Sequence, residues 1–129
     1  MSGERERAGQ PEDLARLFVE RVNAGDAEGL AALYEPDAII AYPPGRLTVG
    51  REAIRALFEQ MIARAIRVEL EEALPSLRHG DLALTGTRAT DVAGARAQVA
   101  RLQPDGSWLR ILDRPEPPPG AQGGPPAGG

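Results

Sequence analysis

The stretch "LFVERVNAGDAEGLAALYEPDAII", residues 17–40, joins three local patterns that together set the fold. Its first part continues a helical pattern that opens at Pro11 and two acidic residues and ends at Gly25. Asp26 then provides an N-cap for a second short helix. The apolar run that follows predicts a strand over 37–42, which Pro43, Pro44 and Gly45 end. The first helix carries its apolar residues at helical spacing, namely Leu14, Leu17, Phe18 and Val22.

The rest of the chain changes from a helical to a strand period. Residues 47–50 predict a short return strand, and residues 50–65 predict a third helix with one apolar stripe. Strand-like runs with turn signals between them then follow, over 65–80, 81–94, 95–106 and 107–114. Helices first and a meander afterwards predict an α+β domain, in which helices cover one face of a curved antiparallel sheet.

The two ends of the chain differ in composition from its middle. Residues 115–129 consist almost entirely of Pro, Gly and Ala, and residues 1–10 are charged and poor in apolar side chains. Neither segment can bury enough apolar surface to offset the entropy of ordering it. We therefore predict a single domain over 11–114 between two disordered ends, with recognition of the proline-rich tail by another protein as a secondary hypothesis.

Composition excludes several classes of function. The 129 residues contain no cysteine and no lysine, which excludes thiol chemistry and a lysine Schiff base. The net charge of −4 and the absence of a basic block argue against a nucleic-acid partner. No apolar run is long enough to span a membrane, so a cytoplasmic protein is expected. The one histidine, His79, lies in a predicted turn, and no spacing suggests a metal or cofactor.

The order helix–helix–strand–helix–four strands resembles the nuclear transport factor 2-like superfamily, which includes SnoaL-like polyketide cyclases and ketosteroid isomerases. Residues 17–40 are similar to its first two helices and first strand, "VGREAIRALFEQMI" to its third helix, and "DGSWLRILD" to its last hairpin. The resemblance covers about residues 11–114. It implies a conical half-barrel of strongly curved antiparallel sheet with three helices over it, a cavity between them, and often a homodimer formed through the sheet.

Strand alternation, placed on the family's pattern, gives a set of cavity-facing residues. Phe18 faces inward from the first helix, and Tyr42 lies at the cavity mouth. The last run carries apolar residues on both faces, so a one-residue slip would bring Trp108 and Arg110 inward instead of Leu109 and Asp113. The strands contribute Leu84, Gly86, Arg88, Thr90, Gln98, Ala100, Leu102, Leu109, Ile111 and Asp113 to the predicted lining.

The resemblance to ketosteroid isomerases stops at their catalytic residues. The resemblance places Tyr42 where those enzymes carry a carboxylate base, Phe18 where they carry a tyrosine, and Gln98 where they carry a protonated aspartic acid. A phenol is a poor general base near neutral pH. We therefore expect a reaction other than theirs. Tyr34, at the predicted end of the second helix, is interpreted as a core residue.

Four polar residues remain as candidates. Arg88 either forms an ion pair with Asp113 that braces the cavity, or binds an anionic oxygen of a ligand together with Gln98. Asp113 or Tyr42 would move a proton, and Asp91 could replace Asp113.

Phe18 and Ile111 would supply apolar contacts to that ligand. The sequence thus predicts a pocket for a small, mainly apolar ligand, and a cofactor-free cyclase, isomerase or dehydratase. The alternative is a non-catalytic binding or dimerisation module.

Overall fold

The computed structural model describes residues 5–65, 68–89 and 94–116 of the chain. Three α-helices and six β-strands lie within these ranges, most of the helical residues coming before most of the strands. The helices are α1 (Asp13–Asn23), α2 (Ala27–Ala31) and α3 (Arg51–Ala63). The strands are β1 (Tyr34–Ile40), β2 (Thr48–Val49), β3 (Leu77–His79), β4 (Leu82–Thr87), β5 (Arg96–Leu102) and β6 (Trp108–Pro115).

The six strands form one curled, unclosed sheet in the order β2-β1-β6-β5-β4-β3. This confirms the predicted α+β class with helices over a curved sheet. All neighbouring pairs are antiparallel except β1 and β6, which run parallel. The sheet is therefore mixed and not purely antiparallel, because β6 reaches β1 only after the chain has passed through α3 and the meander. The edge strands β2 and β3 are the shortest, with two and three residues.

The predicted helix boundaries agree closely with the structure. Helix α1 begins at Asp13, two residues after Pro11, and its first turn is acidic. The Asp26 carboxylate accepts a hydrogen bond from the Gly29 backbone N–H at 3.0 Å and thus caps α2, as predicted. Gly50 precedes α3 with a φ of 93°, a backbone conformation that favours glycine.

The hydrophobic core lies between the helices and the inner face of the sheet. Its largest side chains that are less than 2% exposed include Leu14, Leu17, Leu30, Ile54 and Tyr34. Burial of aliphatic side chains of this kind supplies most of the stabilisation of such a domain. Tyr34 is confirmed as a buried residue, but it is the first residue of β1 and not the last of a helix.

The run over 65–80 forms less strand than its pattern predicts. Within its described residues, strand pairing is limited to β3 and an isolated bridge between Ala73 and Thr87. Pro75 has no N–H to donate and falls between these two stretches of pairing. His79 ends β3 and is exposed beside Gly80 (φ 61°), which confirms the predicted turn. Thr90 and Asp91, both predicted near the cavity, lie outside the described residues.

Strand β6 contains a β-bulge that changes which side chains face inward. Ala100 pairs with Arg110 while Val99 pairs with Leu112, so Ile111 is an extra residue without a partner on β5. The alternation of inward-facing and outward-facing side chains is therefore interrupted between Arg110 and Asp113. Both of these side chains are buried, at 4% and 8% exposure, although strict alternation would place them on opposite faces.

The segment of residues 5–10 lies against the domain, although its composition predicts a loose end. The Ala8 carbonyl accepts a hydrogen bond from the Trp108 backbone N–H at 2.9 Å, and Ala8 is buried. Arg5 donates to both oxygens of Asp26, at 2.7 and 2.9 Å. The buried guanidinium of Arg21 donates to the Gly29 carbonyl at 2.7 Å and also to the Glu6 carbonyl.

Candidate functional site

A pocket of about 100 Å³ opens between α1, the segment of residues 68–76 and strands β4 to β6. Apolar surface from α1 and from the segment makes up one wall, and polar side chains of the sheet make up the other. The lining comprises Pro11, Glu12, Ala15, Phe18, Val19, Val68, Glu69, Leu70, Glu71, Ala73, Leu74, Ser76, Thr85, Gly86, Thr87, Arg96, Gln98, Arg110 and Asp113.

Three buried polar side chains meet at the inner end of this pocket, and two of them line it. The Tyr34 hydroxyl donates a hydrogen bond to Oδ2 of Asp113 at 2.6 Å. Nη1 of Arg110 lies 3.4 Å from the Tyr34 hydroxyl oxygen and 3.8 Å from Oδ2 of Asp113. The phenol therefore holds the carboxylate directly, while the guanidinium stabilises it mainly through charge.

Burial affects the ionisation of Tyr34 and Arg110. Desolvation, and then the negative charge of Asp113, raise the pKa of Tyr34 well above its ordinary value, so the phenol remains a hydrogen-bond donor. Desolvation lowers the pKa of Arg110, but its interactions with Tyr34 and Asp113 outweigh that effect and the net shift is upward. Arg110 thus keeps its positive charge at the inner end of the pocket.

Arg110 has hydrogen-bonding capacity that the described protein groups do not satisfy. Its guanidinium carbon lies 5.5 Å from the centre of the Phe18 ring and 5.9 Å from that of Tyr34, within the range of cation–π attraction. Among the described residues, its Nε is the only fully buried side-chain nitrogen or oxygen atom without a hydrogen-bond partner. This Nε is out of direct reach of a molecule in the pocket, but the Arg110 side chain itself lines the pocket and brings its charge to it.

The polar wall continues along β4 and β5. Oγ1 of Thr85 donates to Oε1 of Gln98 at 2.9 Å, and both side chains line the pocket. This bond occupies the side-chain oxygen of Gln98, and the side-chain N–H groups of Gln98 remain as hydrogen-bond donors. Gly86 lies between two lining threonines, where a Cβ would come within 2.5 Å of the Arg96 carbonyl oxygen. The close approach of β4 and β5 at the pocket therefore requires glycine.

The segment of residues 68–76 covers the pocket from the outside, and a small number of polar contacts attach it. The Leu74 N–H donates to the Gly86 carbonyl at 2.8 Å. Nε of Arg96 donates to Oε1 of Glu71 at 3.0 Å, and Oγ1 of Thr87 donates to the same oxygen at 3.2 Å. These contacts join the segment to the ends of β4 and β5.

The structure brings three of the six predicted site residues to the pocket. Asp113, Gln98 and Phe18 all line it, the first two buried and the third half-buried. Their assigned roles stay predictions, since their position alone does not test those roles.

The other three predicted site residues lie elsewhere. Arg88 is exposed and does not line the pocket, so its predicted inward orientation is wrong. The inward-facing positions of β4 were predicted one residue off, because Thr85 is the residue of β4 that lies opposite Gln98. Tyr42 is exposed two residues beyond the end of β1 and is not part of the lining. Ile111 is the bulge residue and does not line the pocket either.

Alternation also failed for three apolar residues predicted to face the cavity. Leu84 and Leu102 are exposed by 46% and 38%, and Leu109 is half-buried and lies outside this lining. In their place, Ala83, Trp108 and Arg110 are buried on the inner side. The apolar character of a strand residue does not show whether it faces inward here, because the outer face of this sheet is also apolar.

Two important site residues were not among the predicted ones. Arg110 appeared only as the consequence of a register slip, and Tyr34 was interpreted as core. The sequence does contain a partial signal, since a charged residue inside the apolar run of residues 107–112 must either face solvent or be paired.

Comparison with known proteins places the chain in a family. The fold is that of the nuclear transport factor 2-like proteins, and residues 15–113 match the SnoaL-like domain. The chain belongs to the SnoaL-like domain family. A search of the curated proteins gave no match.

Solved structures with this fold carry different descriptions. A proposed calcium/calmodulin-dependent protein kinase type II association domain from Thiobacillus denitrificans superposes with a TM-score of 0.67 at 21% identity, over 87% of this chain and 99% of that one. A proposed dehydratase of the NTF2-like family from Streptomyces avermitilis gives 0.63 at 18% identity, over 84% and 93%. A cystatin-like domain of unknown function from Nostoc punctiforme gives 0.67 at 20%, over 85% and 77%. At these identities the likeness shows the fold alone.

Two further observations concern the whole of the described chain. No helix in residues 5–65, 68–89 or 94–116 is long and apolar enough to cross a membrane. Within the same ranges, no three His, Asp or Glu side chains are grouped as a metal ion would need.

Proposed function

We propose that this chain is a small-molecule pocket protein that performs cofactor-free acid/base chemistry of the cyclase, isomerase or dehydratase kind. The observation that carries the proposal is the buried Arg110 guanidinium beside the Asp113 carboxylate, both on side chains that line the pocket. The ligand is mainly apolar, because the facing wall is formed by side chains such as Phe18, Val19 and Leu74. It carries an anionic or carbonyl oxygen for Arg110.

The chemistry follows from what each group can do. Asp113 accepts a proton from a carbon next to the ligand's carbonyl group; the electron pair of that C–H bond forms a C=C bond to the carbonyl carbon, and the π pair of the C=O bond moves onto the oxygen. Arg110 stabilises the oxyanion that forms, and an amide N–H of Gln98 adds a second donor. The Tyr34 hydroxyl fixes Oδ2 of Asp113. That arrangement leaves Oδ1 as the oxygen that takes up the proton.

Exchange of carbon-bound hydrogen in D₂O tests this assignment without knowledge of the natural substrate. A panel of small ketones is incubated with the protein and exchange is followed by NMR. We expect Asp113→Asn to reduce exchange by about 10²–10⁴-fold, the usual contribution of a positioned general base. Arg88→Gln, which alters an exposed arginine away from the pocket, should leave the rate unchanged. Full exchange by a folded Asp113→Asn protein would contradict the role of Asp113.

A second candidate function is a non-catalytic dimerisation module. The observation that favours it is a row of aliphatic side chains on the outer face of the sheet, hereafter the aliphatic row. Directly paired positions place one residue from every strand on the same face. In sheet order the row consists of Val49, Ile39, Leu112, Val99, Leu84 and Leu77.

We propose that the aliphatic row forms the interface of a homodimer, whichever function is correct. Leu84, Leu112, Val49 and Leu77 are 46%, 47%, 57% and 66% exposed, which is unusual for side chains that adjoin one another. A second copy of the same face would bury these side chains symmetrically. Sedimentation equilibrium should give twice the chain mass of 13.7 kDa.

A matched pair of variants tests the interface. Leu84→Lys should shift the protein to monomer, because it places a charge in the middle of the aliphatic row. Leu47→Lys alters a leucine that is 65% exposed but lies outside the row, and it should leave the mass unchanged. A wild-type chain that is monomeric at high micromolar concentration would contradict the homodimer. Dimerisation together with no exchange activity for any ketone would favour the module over the enzyme.

A further inference from the structure

The charged groups that line the pocket are unevenly distributed along it. Arg110 and Asp113 lie buried at the inner end, whereas Glu12, Glu69, Glu71 and Arg96 lie at the opening or next to it. Four carboxylates against two guanidinium groups give the lining a net charge of −2 at neutral pH. The field that a ligand meets on entry is therefore negative.

The carboxylates at the mouth differ in how far their charge is compensated. Glu71 is paired with Arg96 at 3.0 Å. Glu12 accepts a hydrogen bond from the Ser76 hydroxyl, which lowers the pKa of Glu12 and keeps it ionised. Its carboxylate also lies 3.8 Å from Arg78, a residue outside the lining. Glu69 is exposed at the edge of the opening. Among the described residues, the negative field at the mouth thus rests mainly on Glu69.

An independent observation at the inner end points to a ligand group of a definite kind. Arg110 is 4% exposed and lines the pocket, and a guanidinium carries a positive charge and can only donate hydrogen bonds. The inner end therefore fits an acceptor oxygen. Asp113 already provides a negative charge within 3.8 Å of Arg110, so a ligand carboxylate would place a second anion beside one cation.

We propose that the ligand is a carbonyl compound without negative charge, preferably one bearing an amine that reaches the mouth, and that Glu69 sets this preference. The proposal rests on the function proposed above and decides between the anionic and the carbonyl oxygen that it left open. The uncharged oxygen meets Arg110, the apolar body meets the wall of α1, and the ammonium group meets the acidic mouth.

Three probes of one shape test the preference, namely acetophenone, 4-acetylbenzoate and 4-(aminomethyl)acetophenone. They share an aryl ketone and differ only in the charge of the group opposite it. Dissociation constants are measured by calorimetry on the full chain at low and at physiological ionic strength. We expect the amine to bind about tenfold more tightly than the carboxylate, with acetophenone between them, and the ratio to shrink as salt is added.

Two neighbouring glutamates supply the matched variants. Glu69→Gln removes a charge from the mouth and should reduce the ratio between amine and carboxylate by about threefold. Glu72→Gln removes the same charge from an exposed residue that does not line the pocket, and the ratio should stay near its wild-type value. Acetophenone, which has no charge, should bind equally well to the wild type and both variants.

The outcomes separate the two proposals. Tighter binding of the carboxylate than of the amine overturns the inference about charge, while the pocket function stands. Equal changes in Glu69→Gln and Glu72→Gln overturn the role assigned to Glu69. Failure of all three probes to bind, together with no exchange for any ketone of the panel, overturns the pocket function, and with it the inference.

Discussion

The hydrogen bond between Tyr34 and Asp113 should be a major local contribution to stability. The oxygen atoms lie 2.6 Å apart, and both side chains are buried, at 0% and 8% exposure. Tyr34→Phe keeps the ring but leaves Oδ2 of Asp113 with Arg110 at 3.8 Å as its nearest charge partner. A hydrogen bond to a charged group contributes about 1.5–3 kcal/mol, so we expect a loss of about 2 kcal/mol. For a domain of this size, that corresponds to a fall in Tm of roughly 8 °C.

Urea unfolding gives the free energy directly. Trp108 is the sole tryptophan and is 4% exposed, so its fluorescence reports the loss of tertiary structure. Tyr42→Phe is the control, because it removes a hydroxyl from a residue that is 37% exposed, and it should change stability by less than about 0.5 kcal/mol. A free energy of unfolding for Tyr34→Phe within that same margin of the wild type would refute the reasoning.

Three further predictions concern pH, packing and capping. Because burial raises the pKa of Tyr34, the unfolded chain loses a proton above about pH 10 that the folded protein keeps. The free energy of unfolding should therefore fall above that pH by up to about 1.4 kcal/mol per pH unit. It should fall less steeply in Tyr34→Phe, and urea titrations at pH 9 to 11 measure both slopes. Gly86→Ala should cost about 1–3 kcal/mol in thermal or urea unfolding, since its Cβ would meet the Arg96 carbonyl at 2.5 Å. Asp26→Ala should cost about 1 kcal/mol at pH 7. The Arg5 hydrogen bond lowers the pKa of Asp26, so that cost should diminish as the pH falls below about 4; an unchanged cost at pH 3 would contradict it.

The helices were predictable because their signals are local. The spacing of Leu14, Leu17 and Val22 and the capping carboxylate of Asp26 depend only on residues within a few positions in the chain. The same holds for the turn at Gly80, where the backbone conformation itself favours glycine. These features were sufficient to predict the order of elements, and with it the fold class.

The inward-facing residues were less predictable because alternation depends on pairing across the sheet. A strand pattern such as that of β4 predicts two faces, but only the pairing of Thr85 with Gln98 shows which face is inside. The apolar residues that usually decide this question were misleading, since Leu84 and Leu112 belong to the outer face. The bulge at Ile111 has no signature within β6 alone, and it is this bulge that places Arg110 and Asp113 on the same side.

The short edge strands have a consequence for how the molecule meets other copies of itself. With only two residues in β2 and three in β3, each border of the sheet offers a neighbour very few free backbone N–H and C=O groups to pair with. Continuous strand addition from molecule to molecule, the route to aggregates and fibrils, is thereby disfavoured. Natural proteins commonly protect β-sheets in this way. The chain can therefore carry exposed leucines across the middle of its sheet, because the proposed homodimer contact through that face would close after two molecules, whereas contact through the borders would not.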